Sequence, residues 1–278
     1  MISSRKELKS RAQQSMAFTK PSYLIAGIIM VIAVNAESWL SALLGKDEAF
    51  SYGSYEELMQ QMDAVLDNLS IPLQLASLAL GIFVAVLTFG FMRYCLRLSR
   101  GEKEVGMSEL VSGFDNFWKV IGLNICTSIL IVLWGLCSFA VVFGINFLVL
   151  GGIGDILYTL GCGIVAVFFA LAISYRYRMA QYLLMDHPDW GIGKCISESK
   201  RMMKGHKMEL FLLDLSFFGW IFLSSFCAMI TFVPVMDIWL TPYMTVTECH
   251  FYNELAAQDA ACRQSQGPGP SDADWWEN

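Results

Sequence analysis

The stretch SYRYRMAQYLLMDHPDWGIGKCISESKRMMKGHKMELFLLDLSFFGW, Ser174 to Trp220, decides how this chain is read. It begins as the end of one apolar run, crosses a basic segment and enters a second apolar run. Arg176, Arg178, Lys194, Lys200, Arg201, Lys204 and Lys207 all lie in it. Basic segments between membrane-length apolar runs stay on the cytoplasmic side, so this one orients every other span. Within it, Asp186-His187-Pro188-Asp189 breaks a helix, because proline disfavours a helical residue before it. Ile192, Cys195, Ile196, Ser199, Met202 and Met203 then give a short surface helix with one apolar side, which Gly205 ends.

Composition agrees. The 278 residues are 55% hydrophobic and 16% charged, whereas soluble domains carry about 25% charged residues. The net charge of −6 argues against nucleic acid, which needs an extended basic face. The eight cysteines show neither CxxC nor zinc-site spacing, so no metal or other cofactor is expected. Cys249-His250 reads as a packed helix end.

Outward from the basic stretch, apolar runs predict six transmembrane helices at about 21–44, 71–96, 118–144, 153–175, 209–233 and 238–255, the last interrupted by Pro242. The fold class is an all-α, polytopic membrane helix bundle with amphipathic interfacial helices. Residues 1–20 form a cytoplasmic amphipathic segment: Ser4 and Glu7 fit a capping box, and Leu8, Ala12 and Met16 share one face among basic neighbours. Residues 21–257 are the transmembrane domain. Val34-Asn35-Ala36 resembles a signal-peptide cleavage site, but the apolar run continues to Leu44 and favours an uncleaved helix. The acidic segment 46–70 carries a helical stripe of Leu58, Met62, Val65 and Leu69 on the outer side. Ser108 is a candidate N-cap before the third span. Residues 258–278, with Trp275-Trp276, lack periodicity and are expected to be disordered. Of the 19 Lys and Arg, only Lys46 falls outside the segments assigned to the inner face. Both termini are therefore placed in the cytoplasm.

No Walker motif, GxSxG, HExxH or Rossmann fingerprint is present, so no enzyme is expected. Polar and charged groups inside spans are costly and face a partner or a cavity. Glu37, Asn124 and Asp214 are such groups, and Asp214 lies at a depth similar to Arg93, making Arg93–Asp214 a candidate intramembrane pair. Should that pair fail, Asp214 would find another basic group, such as Arg97 or Arg178, or face water. Arg176, Arg178, Lys200, Arg201, Lys204, His206 and Lys207 are candidates for the headgroup zone. There Arg176, Arg178, Lys200, Arg201, Lys204 and Lys207, with the N-terminal basic helix, form a positive collar that either only orients the protein or holds an anionic lipid headgroup in a groove floored by Tyr175, Tyr182 and Trp190. Asp186, His187, Asp189 and His206 are the residues a headgroup-modifying enzyme would use, the least favoured reading.

The runs YRMAQYLLMDHPD, ISESKRMMKGHKMELFLLDLSFFGW and WLTPYMTVTECHFYNEL, with RKELKSRA and SELVSGFDNFWK, resemble the bacterial integral-membrane family called domain of unknown function 975. That resemblance implies a bacterial plasma-membrane protein and imports no activity. The expected function is a non-enzymatic envelope component in assembly, lipid handling or scaffolding, with membrane lipids and other membrane proteins as partners. A small-solute or lipid permease with its site near Asp214 and Arg93 is the alternative.

Overall fold

The computed structural model describes residues 3–17, 22–43, 71–102, 105–150, 156–231 and 233–265. The acidic segment 46–70, the Trp275-Trp276 end and the side chain of Glu37 lie outside the described residues. Within them every regular element is helical: α1 Arg5–Ala17, α2 Ser22–Leu43, α3 Ile71–Ser99, two short 3-10 turns at Met107–Leu110 and Ser112–Asn116, α4 Phe117–Leu150, α5 Ile156–Ser174, α6 Ala180–Asp186, α7 Ile192–Met202, α8 Lys207–Leu215, α9 Phe218–Thr231 and α10 Asp237–Ser265.

Three stretches are long and apolar enough to cross a membrane: Leu75–Ser99, Met107–Val141 and Lys207–Thr231. A fourth is added if α1 and the start of α2, bent by 104°, count as one broken span. Two of the six expected spans fall short of that measure. α5 offers only the shorter apolar stretch Gly163–Ser174, and α10 carries Asp237, Glu248, Glu254, Asp259 and Arg263 along its length.

The elements divide into a packed polar end and apolar helices that splay from it. At the polar end α10 packs against α1, α2, α3 and α7, and α6 packs on α3 and α7. Tyr94, Cys95, Met179, Tyr182, Cys195, Met203, Cys249 and Tyr252 are buried there. The Ser4 hydroxyl accepts from the Glu7 N–H at the start of α1, and Leu8, Ala12 and Met16 are buried in the bundle. The predicted face is right, but it meets α10 rather than lipid, and Arg11 reaches Glu254 of that helix at 2.8 Å. Away from this end, α4 and α5 pack chiefly on one another, and Val132, Phe139, Val141 and Val167 stand about 60% exposed.

Two predicted boundaries move. α10 runs through Pro242 instead of breaking. Proline removes the N–H that would bond the carbonyl four residues back, here Ile238. Gly27 of α2 lies so close to that carbonyl that any Cβ would collide with it, and such Cα–H approaches partly satisfy a freed oxygen. α10 also continues to Ser265 instead of ending near 257, because Arg201 of α7 bonds Asp259 at 2.6 Å and Arg263 bonds Glu198 at 2.6 Å. The chain does stop α6 at Asp186, as Pro188 requires, and leaves α7 through Gly205 at φ +97°. Ser108 is no N-cap: it lies inside the 3-10 turn that Gly106 opens without a side-chain cap.

Candidate functional site

Both helices that flank the basic stretch are broken, and their breaks meet. α5 ends at Ser174 and α6 begins at Ala180, with a turn over Tyr175–Met179 between them; α8 and α9 are separated by Ser216 and Phe217. Across this junction Tyr175 Oη donates to Asp214 Oδ2 at 2.8 Å, with the Tyr175 ring set edge-on to Phe211. Arg178 donates from Nε and Nη2 to the two Glu248 oxygens at 2.7 and 3.0 Å. Its Nη1 lies 3.7 Å from Asp214 Oδ2. One guanidinium thus serves two carboxylates, the fork matching Glu248 in the bidentate geometry that arginine favours. α1 supplies the remaining piece. Lys9 Nζ donates to the Ser216 carbonyl at 2.9 Å and sits 3.8 Å from the Phe217 ring centre. Non-helical backbone at membrane depth survives where protein covers it or where it lines a cavity. This junction has both.

A cavity of about 510 Å³ opens on one side of the Arg178–Glu248 pair, among α2, α3, α4, α6 and α10. Met30, Phe91, Met92 and Ile131 give it apolar walls, while Thr88, Thr127, Thr245 and Gln181 add polar groups. A smaller one of about 210 Å³, with Asp214, Phe217 and Met244, lies on the other side. Arg178, Glu248, Thr241 and Thr245 border both, so the ion pair is the partition between them. Gln181 donates to Asn124 at 2.8 Å, and Asn124 in turn donates to the Val120 carbonyl.

Arg93 and Asp214 are not brought together. Arg93 and Arg97 share one face of α3, and the chain folds back through the 3-10 turns to set Glu109 against that face, 3.4 Å and 2.8 Å away. Asp214 instead takes Tyr175 and Arg178, the second of its alternative bases. Depth matched Arg93 to Asp214, but the helical face decides the pairing.

The collar is also thinner than its sequence suggests. Arg178 is committed to Glu248, and Arg201 to Glu198 and Asp259. The guanidinium of Arg201, with that of Arg263, holds the Asp259 carboxyl below the usual carboxylate range. His206 bonds Glu209 at 2.8 Å. Arg176, Lys200, Lys204 and Lys207 make no ion pair among the described residues. Tyr175 and Tyr182 do not floor a surface groove: Tyr182 is fully buried and stacks on Tyr252, while Trp190 lies flat against His187 with Lys194 above it. Asp186, His187, Asp189 and His206 share no hydrogen bond with one another among the described residues. Asp186 is held by both terminal nitrogens of Arg100 and by the Tyr252 hydroxyl.

Glu248 is the member of this charged junction that sequence reasoning passed over. It lies within the run expected as the sixth span, so the intramembrane-charge argument applied to Asp214 singles it out equally. Glu109 carried no comparable signal, since an acidic residue in a loop is unremarkable.

A chain of helices only among its described residues, several able to span a membrane, with charges gathered where two of them break, defines a helical membrane-protein class. The chain matches the family described as Protein of unknown function (DUF975) over residues 1–259, and it belongs to that family. No curated protein and no solved structure matches it.

Proposed function

We propose that this protein is a non-enzymatic, multi-pass component of the bacterial plasma membrane that handles anionic lipid at the cytoplasmic surface, in assembly or scaffolding of the envelope. The observation that carries this reading is that Arg176, Lys200, Lys204 and Lys207, in the segment from the end of α5 to the start of α8, make no ion pair among the described residues. Each such residue near an anionic bilayer contributes about 1 kcal/mol of attraction. Six crossings with both termini inside fit the confinement of basic residues to one side. The charges of α10 then face the bundle, where Arg178 and Arg11 meet Glu248 and Glu254.

Replacing Lys200 and Lys204 by Gln leaves most orienting charges in place, so reporter fusions after residues 60, 150 and 236 should still read outside and those after 104, 190 and 260 inside. Phosphatidylglycerol and cardiolipin retained by the purified variant, measured by native mass spectrometry, should fall. Unchanged retention sinks the lipid-handling reading.

A second reading, a small-solute or lipid permease, is favoured by the two cavities that meet at Arg178 and Glu248. Its site is displaced from Arg93 to Arg178, Asp214 and Glu248.

A further inference from the structure

The larger cavity, about 510 Å³, falls within the roughly 300–1,000 Å³ of small-molecule sites. Most of its polar lining has one chemical sense, although the Tyr182 hydroxyl has no hydrogen-bond partner among the described residues and can donate as well as accept. Thr88, Thr127 and Thr245 each donate their hydroxyl proton one turn back, to the carbonyls of Val84, Leu123 and Thr241, at 2.7, 2.8 and 2.9 Å. Ser174 does the same to Leu171 at 2.7 Å. A hydroxyl that has given its proton offers only lone pairs. The Gln181 amide gives one of its two N–H protons to Asn124, so it keeps its oxygen and a second proton to offer. At the charged end, Arg178 turns Nε and Nη2 to Glu248 and Nη1 towards Asp214. Its donors point at carboxylates, and two carboxylates stand against one cation.

From this lining we infer that the cavity binds an amphiphile with a primary ammonium head. An ammonium carries three donors and no acceptor, which suits a lining of lone pairs. Its charge offsets the second carboxylate, which is costly to hold in a membrane without a partner. The head lies between Glu248 and the oxygens of Thr245 and Thr88, and the chain runs along Met30, Phe91, Met92 and Ile131. A carboxylate or phosphate head would meet more lone pairs than donors and would add a third negative charge to Glu248 and Asp214 around the single Arg178. The inference goes beyond the surface-lipid reading, since none of the four unpaired cations borders the cavity.

The test titrates delipidated full-length protein in detergent with dodecylamine, dodecanol and dodecanoate, and reads binding by native mass spectrometry. Dodecylamine should bind about tenfold or more tightly than the other two, the effect of a hydrogen bond to a charged group. Glu248→Gln should weaken it similarly, with thermal unfolding recorded alongside because this change also frees Arg178. The double variant Thr88→Val, Thr245→Val keeps the ion pair and removes two acceptors, and it should lose amine affinity without losing stability. Equal binding of dodecanoate, or an unaltered amine affinity in the threonine variant, overturns the inference. Phosphatidylethanolamine that displaces dodecylamine marks a membrane lipid as the source, and failure to displace it marks a soluble long-chain amine. Both results leave the surface-lipid reading untouched, because that reading stands or falls on Lys200 and Lys204.

Discussion

The packed end and the α4–α5 hairpin are built from similar apolar residues, yet they are held together differently. Between α3 and the 3-10 turns, backbones approach so closely that a Cβ on Gly90 would strike the Leu110 carbonyl, and one on Gly113 the Val86 carbonyl. In the hairpin, Gly135, Gly161 and Gly163 look into open space. Lipid tails are as apolar as leucine, so no hydrophobic force draws membrane helices together; close packing and polar contacts must do it. The packed end has both. The hairpin's two helices pack on each other but turn much of their surface outward, where the exposed side chains are matched to lipid. The chain gathers its polar groups at the junction between the two regions, around Arg178, Asp214 and Glu248.

The largest effect that separates them is expected at Arg178. Its replacement by Ala leaves Glu248, whose side chain is 12% exposed, beside Asp214 with no cation between them. Stranding buried charge costs about 3 kcal/mol or more, so thermal unfolding in micelles should fall steeply. Replacing Arg178 and Glu248 together by Met should be far milder. A Trp134→Ala change in the hairpin should barely register, and if it matched Arg178→Ala the contrast between the regions would be lost.

Glycine substitutions sharpen the same contrast at a smaller scale. Gly90→Ala forces a methyl into backbone and should cost ~1–3 kcal/mol, as overpacking does. Gly135→Ala meets nothing and should be neutral or gain up to ~1 kcal/mol from helix propensity. Unfolding midpoints of the two variants, read side by side, should therefore shift in different directions. Two equal losses would mean that the hairpin is packed against a surface.

How much of this was legible in the sequence follows the same divide. Apolar runs and the Asp186–Asp189 break mark helices and their ends, because length, composition and proline chemistry are local. The buried face of α1 was legible as Leu8, Ala12 and Met16. What covers it was not, since an amphipathic face suits lipid and protein equally. The site was half legible: Asp214 and Arg178 stood out as charges, but their partners depend on which way a broken helix turns. Pairing by depth chose Arg93, while the fold-back through Glu109 had already taken it. The breaks at Tyr175 and Ser216 left no mark, because no proline or glycine sits there and tertiary contacts supply the reason.

The smallest effect concerns the end of α10, where sequence alone gave disorder. Helix there rests on Arg201 and Arg263 closing on Glu198 and Asp259. The Asp259 carboxyl is lowered first by its hydrogen bond from Arg201, against a smaller opposing effect of burial. A carboxyl lowered on folding contributes stability that is complete above its unfolded value, near pH 4. That contribution disappears as pH falls through the lower folded value. Both arginine side chains are about half exposed, so water screens the clasp and less than about 1 kcal/mol is at stake. Amide exchange over residues 258–265, corrected for the intrinsic rate, should stay protected from neutral pH to about pH 5 and loosen below about pH 4. The Asp259→Asn variant should lose most of that pH dependence while α9 exchanges as before. Constant protection down to pH 3 would mean that packing, not the charge clasp, carries the helix past the expected boundary.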